Sequence, residues 1–215
     1  MRSQRRLLVV CASSVLAACS IGRPSPPTIT YVIELREGMS SDRYLTETLR
    51  MGTVRVAAPF ASRSLVYRFN DVRYDSDPYH AFASEPGAML GGRIAGWLNH
   101  AGPFRSVSQP GSAQTARYVL EASVTDLYGD FREGRAPAAV LAIQFALIDQ
   151  GGLRPKTLYE RSFTRSIDLP KASAEGLVGG YDQALLEMLA QVVSDLKSQL
   201  TNPVEEVGTT TCKRP

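Results

Sequence analysis

Residues 138–148 read AAVLAIQFALI. Val140, Leu141, Ile143, Phe145, Leu147 and Ile148 are apolar on both parities, so the segment predicts a strand covered on both faces, at the middle of the core. Two further β-rich segments flank it, Tyr118–Leu127 and Leu158–Ile167. The joints, GDFREGRAP at 129–137 and DQGGLRPKT at 149–157, are short and rich in Gly, Pro and charge. Joints of that kind connect antiparallel neighbours.

Helices follow outward on both sides. Ser173 caps a long segment, about 174–200, in which Leu177, Tyr181, Leu185, Met188, Leu189, Val192, Leu196 and Leu200 recur at spacings of three and four. The stripe is too short and too drifting for a coiled coil, so it predicts packing on the sheet. Upstream, Ser84 or Glu85 caps and Pro86 opens a second amphipathic helix, about 85–101, with Leu90, Ile94, Trp97, Leu98 and Ala101 on one face. Gly102-Pro103 ends it, and Gly92 and Gly96, four apart, predict a close approach of helix backbone to a packed neighbour. Shorter strands are expected at Tyr31–Leu35, Thr53–Phe60, Leu65–Asn70 and Phe104–Val107, with a short helix over Ser41–Met51. The fold class is therefore α+β: a single domain, about 29–200, with a mainly antiparallel sheet packed by the two helices.

The first residues have a separate logic. Arg2, Arg5 and Arg6 precede the apolar run Leu7–Ala18, and Ala17 and Ala18 then meet Cys19. This is the pattern of a secretory signal, residues 1–18, too short to span a bilayer before Arg23 and the prolines. Leu16-Ala17-Ala18-Cys19 resembles the bacterial lipobox, which implies cleavage before Cys19 and acylation of that residue. Residues 19–28, with prolines at 24, 26 and 27, then form an extended lipidated tether, and residues 201–215 a disordered tail. Ser20, where an inner-membrane retention signal would place aspartate, favours the periplasmic face of the outer membrane.

Composition narrows the function. Residues 1–18 hold three of the 24 basic residues and none of the 21 acidic ones, so the remainder is neutral. A neutral domain lacks the cationic excess of a nucleic-acid binder. Of three cysteines, Cys11 lies in the signal and Cys19 is the expected lipidation site, leaving Cys212 without an intrachain partner. No G-x-S-x-G elbow, G-x-G-x-x-G or phosphate loop occurs. His80 and His100 have no ligand at a recognised metal spacing, and Asp71, Asp75 and Asp77 lack the glycine and terminal glutamate of a calcium loop. These acids are expected in a solvated turn before Pro78. No catalytic, metal or cofactor residue is assigned, and the chain reads as a non-enzyme.

The succession of lipobox, proline-rich tether, YVIEL (31–35), VRVAAPFASRSLVYRFNDVRY (54–74), capped helix, three strands and long helix resembles the ABC-type transport auxiliary lipoprotein family. The most telling residues are Val54 to Pro59, Leu65-Val66-Tyr67-Arg68, Tyr74 and the helix around Trp97. Family members often carry Arg-Trp ahead of a Glu-Pro; here Ala81 and Phe82 stand near that place and Glu85-Pro86 is kept. The PqiC-like members accompany MCE intermembrane lipid-transport systems. The resemblance therefore implies a periplasmic, non-enzymatic accessory subunit docking with an MCE-domain protein and ABC permease and ATPase subunits, in contact with phospholipid and compatible with a homo-oligomer. The alternative reading is an outer-membrane lipoprotein that binds lipid or lipopolysaccharide in envelope assembly, and a third is an envelope hydrolase with dispersed catalytic groups.

Overall fold

The computed structural model describes residues 27–35 and 45–201. Cys19, the signal segment 1–18, most of the tether and residues 202–215 with Cys212 lie outside them. Eight strands form one mixed sheet: β1 (Ile29–Tyr31), β2 (Thr48–Val56), β3 (Ser64–Arg68), β4 (Tyr74–Phe82), β5 (Ser106–Ser108), β6 (Tyr118–Asp130), β7 (Ala138–Asp149) and β8 (Lys156–Asp168). Helix α1 (Pro86–Ala101) follows β4, and α2 (Ala174–Thr201) follows β8. The domain is α+β as expected, and its β6–β7–β8 meander is antiparallel.

The hub of the sheet is β6 rather than β7. One edge of β6 pairs with β7; the other is shared by β2, parallel along Leu49–Val56, and β3, parallel at Tyr67 and Arg68. Between them the chain turns away through a 3-10 turn at Ala58–Phe60, after the Ala57 N–H has bonded to the Val124 carbonyl at 2.9 Å. From β3 the sheet continues to β4 and β1, and from β2 to β5.

The alternation in β7 divides unequally. Ala139, Leu141, Ile143, Phe145 and Leu147 are completely buried, whereas Val140, Gln144, Ala146 and Ile148 on the other face are only partly covered. The double coverage expected of this strand is thus corrected: both helices lie on one face. Helix α1 packs on β2 and β5, α2 on β7 and β8, and the helices touch each other. Leu177, Tyr181, Leu185, Met188, Leu189, Val192 and Leu196 of the α2 stripe are all buried, as are Leu90, Ile94, Trp97, Leu98 and Ala101 of α1. The Ser173 hydroxyl caps α2 by accepting from the Gly176 N–H at 3.1 Å. Along the rim, Asp195 of α2 accepts from Tyr159 Oη at 2.9 Å and Arg161 Nη1 at 2.7 Å of β8.

Expectations shift at several N-terminal places: the strand expected at Tyr31–Leu35 is Ile29–Tyr31, and the one expected over Thr53–Phe60 ends at Val56. Residues 48–51, expected in a helix, begin β2: Leu49 and Met51 are fully buried there, and parallel pairing with Tyr118 and Leu120 outweighs the local polar pattern. The segment around Pro78 is not a solvated turn but part of β4. Between the pairs Val66–Ser76 and Ser64–Ala81, β3 advances two residues while β4 advances five, which makes a bulge. Asp77 staples it: Oδ1 accepts the N–H groups of Tyr79 at 2.7 Å and His80 at 3.1 Å, and Oδ2 accepts Tyr67 Oη at 2.8 Å and lies 2.7 Å from His80 Nδ1. The Asp77 side chain is only 10% exposed. Burial pushes its carboxyl upward, but these hydrogen bonds outweigh that and hold it below the usual carboxylate range.

The closest helix–sheet approach is at Gly180. A Cβ there would stand 2.5 Å from Ala139 Cβ and 3.0 Å from Leu169 Cδ2, whereas one on Gly179 would meet nothing within 4 Å. Gly180→Ala is therefore expected to destabilise by about 1–3 kcal/mol through overpacking, despite a helix-propensity gain of about 1 kcal/mol. Gly179→Ala should keep that gain. Urea denaturation of the two variants distinguishes them, and equal midpoints would contradict the packing account.

Acid should also destabilise the fold. Arg132 and Arg117 lower the carboxyls of Asp130 and Asp149, and Asp195, raised by burial, is lowered further by Gln191, Arg161 and Tyr159. With Asp77, these groups bind fewer protons in the native state than in the unfolded chain, so their contribution is present above an unfolded value near about 3.9 and lost as pH falls through the native values. Asp77→Asn should lower neutral stability by about 1–3 kcal/mol and flatten the acid decline. Urea midpoints measured from neutral pH down to about pH 3 test both, a pH-independent midpoint being the contrary result.

Candidate functional site

The histidines and aspartates noted in the sequence are engaged in structural contacts. His80 is engaged with Asp77, and its ring lies 5.9 Å from that of Tyr31. The neighbouring Tyr67 hydroxyl is held protonated, its pKa raised by burial and by the Asp77 carboxylate. A phenol in that state is a poor nucleophile and a poor base. The three aspartates do not converge: Asp75 pairs with Arg73, Asp71 with Arg68 and Arg132, and Asp77 staples the bulge. Among the described residues, no group of three or more His, Cys, Asp and Glu side chains is placed to hold a metal ion.

Recesses occur elsewhere. The outward face of α1 carries Ala88, Gly92, Gly96 and His100 at four-residue spacing. An open groove of about 400 Å³ runs past Val32, Met89, Gly92, Arg93 and Gln109. It adjoins another of about 190 Å³ beside Leu35, Gly96, Trp97 and His100, with Gly92 and Arg93 common to both. The predicted packing role of Gly92 and Gly96 therefore does not hold. A Cβ on Gly96 would meet nothing within 4 Å, and one on Gly92 only Gln109 Oε1 at 3.7 Å. The close approach belongs to Gly87, whose Cβ would stand 2.6 Å from the Val54 carbonyl oxygen, and Gly91, 2.9 Å from Pro110 Cγ.

A third groove, about 390 Å³, opens between the start of β8 and the end of α2, beside Arg117, Tyr118, Asp149, Lys156, Leu158 and Leu200. Arg117 grips Asp149 with two N–H groups, Nε at 3.0 Å and Nη2 at 2.8 Å, and its guanidinium lies 5.0 Å from the centroid of the Tyr118 ring. The pair is fixed in geometry and its charges cancel.

The opposite end of the sheet carries a denser constellation. Arg68, Asp130, Ala138 and Asp168 align across β3, β6, β7 and β8, so the β3–β4 turn, the β6–β7 loop and the β8–α2 loop share one pole. There Arg68 stands 5.6 and 5.9 Å from the ring centroids of Tyr74 and Tyr128, and Phe60 stacks on Tyr128 at 5.9 Å. Tyr67 stacks on Phe131 at 5.0 Å. Arg132 joins the turn to the loop, with Nη2 2.6 Å from Asp130 Oδ2 and Nη1 2.9 Å from Asp71 Oδ1. Phe131, Arg132 and Tyr128 are not evident from local sequence, because their partners lie some 60 residues away. Their only local signal was the density of aromatic and arginine residues in LVYRFNDVRY and YGDFR.

These surfaces suit binding and positioning. Their ionic groups are spent on one another, and the grooves are open rather than enclosing. The fold has solved relatives. The crystal structure of protein XCC0632 from Xanthomonas campestris is similar with a TM-score of 0.71 at 15% identity, over 81% of this chain and 97% of that one. A second crystal structure, of an uncharacterised protein, gives 0.61 at 19% identity, over 80% and 99%. No curated protein matches the sequence. The family model described as the ABC-type transport auxiliary lipoprotein component matches residues 34–193, from just after β1 to within α2. A match through β2 to β8, α1 and most of α2 takes in the hub strand and both helices that cover it, and this chain belongs to that family.

Proposed function

We propose that this chain is a lipid-anchored periplasmic accessory subunit of an ABC/MCE-type intermembrane phospholipid-transport system, and that it docks or scaffolds rather than catalyses. The observation that carries this reading is the family match over residues 34–193, in a chain whose Leu16-Ala17-Ala18-Cys19 has the pattern of an acylated cysteine. Family membership gives an auxiliary role in ABC-type transport and an envelope location. The finer assignment comes from the resemblance to PqiC-like members, with an MCE-domain protein and permease and ATPase subunits as partners. Ser20 favours the outer membrane.

Physical features agree with such a role. Two or more acyl chains on Cys19 hold a protein on a bilayer durably, where one chain binds marginally. Ten residue steps separate Cys19 from Ile29, a reach of at most about 33 Å. So short a tether raises the effective concentration of the domain beside membrane-bound partners, and a modest interface then suffices. Open grooves with internally neutralised charge fit docking better than sequestration of a whole lipid.

Placed behind a signal peptide whose cleavage needs no lipid, Cys19→Ser should move the protein from the membrane to the soluble fraction while its circular dichroism stays that of the native fold. Unchanged membrane retention of that processed variant would refute the anchor. Gentle detergent extraction of the unaltered protein should recover MCE and permease subunits with it; repeated recovery without them would count against the assigned partners.

A further inference from the structure

We propose that the β3–β4 turn is a membrane-contacting tip that rests in the headgroup region of the bilayer holding the Cys19 anchor. The inference builds on the acylation proposed above and adds to it an orientation of the domain and a contact site.

The turn is built to present an apolar point. The Phe69 N–H donates to the Arg73 carbonyl at 3.0 Å, and Asn70 Oδ1 accepts the N–H groups of Val72 at 3.0 Å and Arg73 at 2.8 Å. This closed loop holds Val72 outward, 89% exposed, between Phe69 at 39% and Tyr74 at 40%. An exposed valine at a rigid tip, two flanking aromatic rings, and an arginine whose guanidinium lies 5.4 Å from the Phe69 ring centroid make the composition that settles at a membrane interface. The charges around it are already paired: Arg73 with Asp75, and Arg132 with Asp130 and Asp71. The tip therefore approaches headgroups of either sign without a net charge to repel them.

Strand polarity brings the tip to the anchor. Strand β1 runs parallel to β4, with Ile29 beside His80 and Tyr31 beside Phe82. The chain thus enters β1 from the side on which the turn lies. Six residue steps of β4, from Tyr74 to His80, span at most about 20 Å, less than the reach of about 33 Å between Cys19 and Ile29. The tip can therefore touch the leaflet in which the acyl chains sit. Three side chains are far too few for a protein interface, which buries about 800 Å² on each partner, but enough for a local insertion into the interface.

The test uses the full chain purified from membranes, carrying Cys212→Ser and either Val72→Cys or Leu153→Cys, each labelled with bimane. Leu153 is fully exposed, in the β7–β8 turn at the opposite pole. The proteins are reconstituted into phosphatidylethanolamine and phosphatidylglycerol vesicles containing a lipid with a nitroxide near its headgroup. Interfacial elements sit about 5–10 Å into the headgroup boundary, so quenching at position 72 should exceed that at 153 by roughly threefold or more. Flotation of the same samples reads the anchor separately. Protein that floats but is quenched equally at both positions overturns the tip and leaves the anchor standing. Protein that fails to float overturns both. Bimane emission at 72 that shifts to the blue without nitroxide quenching means that a protein or a second copy covers the turn, and it also overturns the membrane contact.

Discussion

The domain depends on burying one face of the sheet along β6 and β7 under two helices. Leu120, Leu141, Phe145 and Leu147 are wholly removed from water there, as are Leu177, Leu185, Met188 and Leu189 of α2 facing them. At about 25 cal/mol per Å² of apolar surface removed, this layer is the dominant favourable term available. Residues 27–35 and 45–201 contain no cysteine, so no disulfide lies among the described residues. Packing therefore has to be close, and the approach of α2 to β7 at Gly180 shows how little slack it has. The exposed polar rim, such as Arg161 with Asp195, adds geometry more than energy.

That burial explains which elements were legible in the sequence. Helix α2 announced itself because its buried side chains recur at helical spacing, and the β6–β7–β8 meander because its joints are short. Both are local signals. The two faces of β7 could not be told apart, because its second face also carries apolar residues, Ala138 and Ala142, which are buried, and Val140 and Ile148, which are only half-covered. The first half of β2 was hidden for the opposite reason: Arg50 and Gly52 interrupt its apolar run, and only the parallel register with β6, some 70 residues on, explains why Leu49 and Met51 are buried. Loop closure on that scale leaves no periodic trace.

The candidate surfaces follow the same division. Cys19, proposed as the acylation site, rests on a contiguous pattern and lies outside the described residues. The pole formed by Tyr67, Arg68, Tyr74, Tyr128, Phe131 and Arg132 has no such pattern, because four segments converge on it. Asp77 is the sharpest case: beside Pro78, with Asp71 and Asp75 nearby, it has the local appearance of a hydrated turn residue. Its burial is decided by the hydroxyl of Tyr67, which β3 delivers from the neighbouring strand. A carboxylate that keeps four hydrogen bonds can be largely shielded from water; without the Tyr67 hydroxyl and the His80 ring it would lose two of them.

The internal pairing of charge bears on how the anchored accessory role proposed above would work. Arg117 with Asp149, Arg132 with Asp130 and Asp71, and Arg73 with Asp75 spend on one another most of the strong donors and acceptors at the two poles. What these ends offer a partner is shape and apolar surface, whose attraction is short-ranged and barely screened by salt. Long-range electrostatic steering serves proteins that must find a partner by diffusion. With the anchor proposed at Cys19, a domain confined beside a membrane by a tether of ten residue steps would have little need of it, since the anchor would supply proximity. On that proposal internally paired charge and a short tether are one arrangement: the anchor would set where the domain can be, and the fold which surfaces it presents.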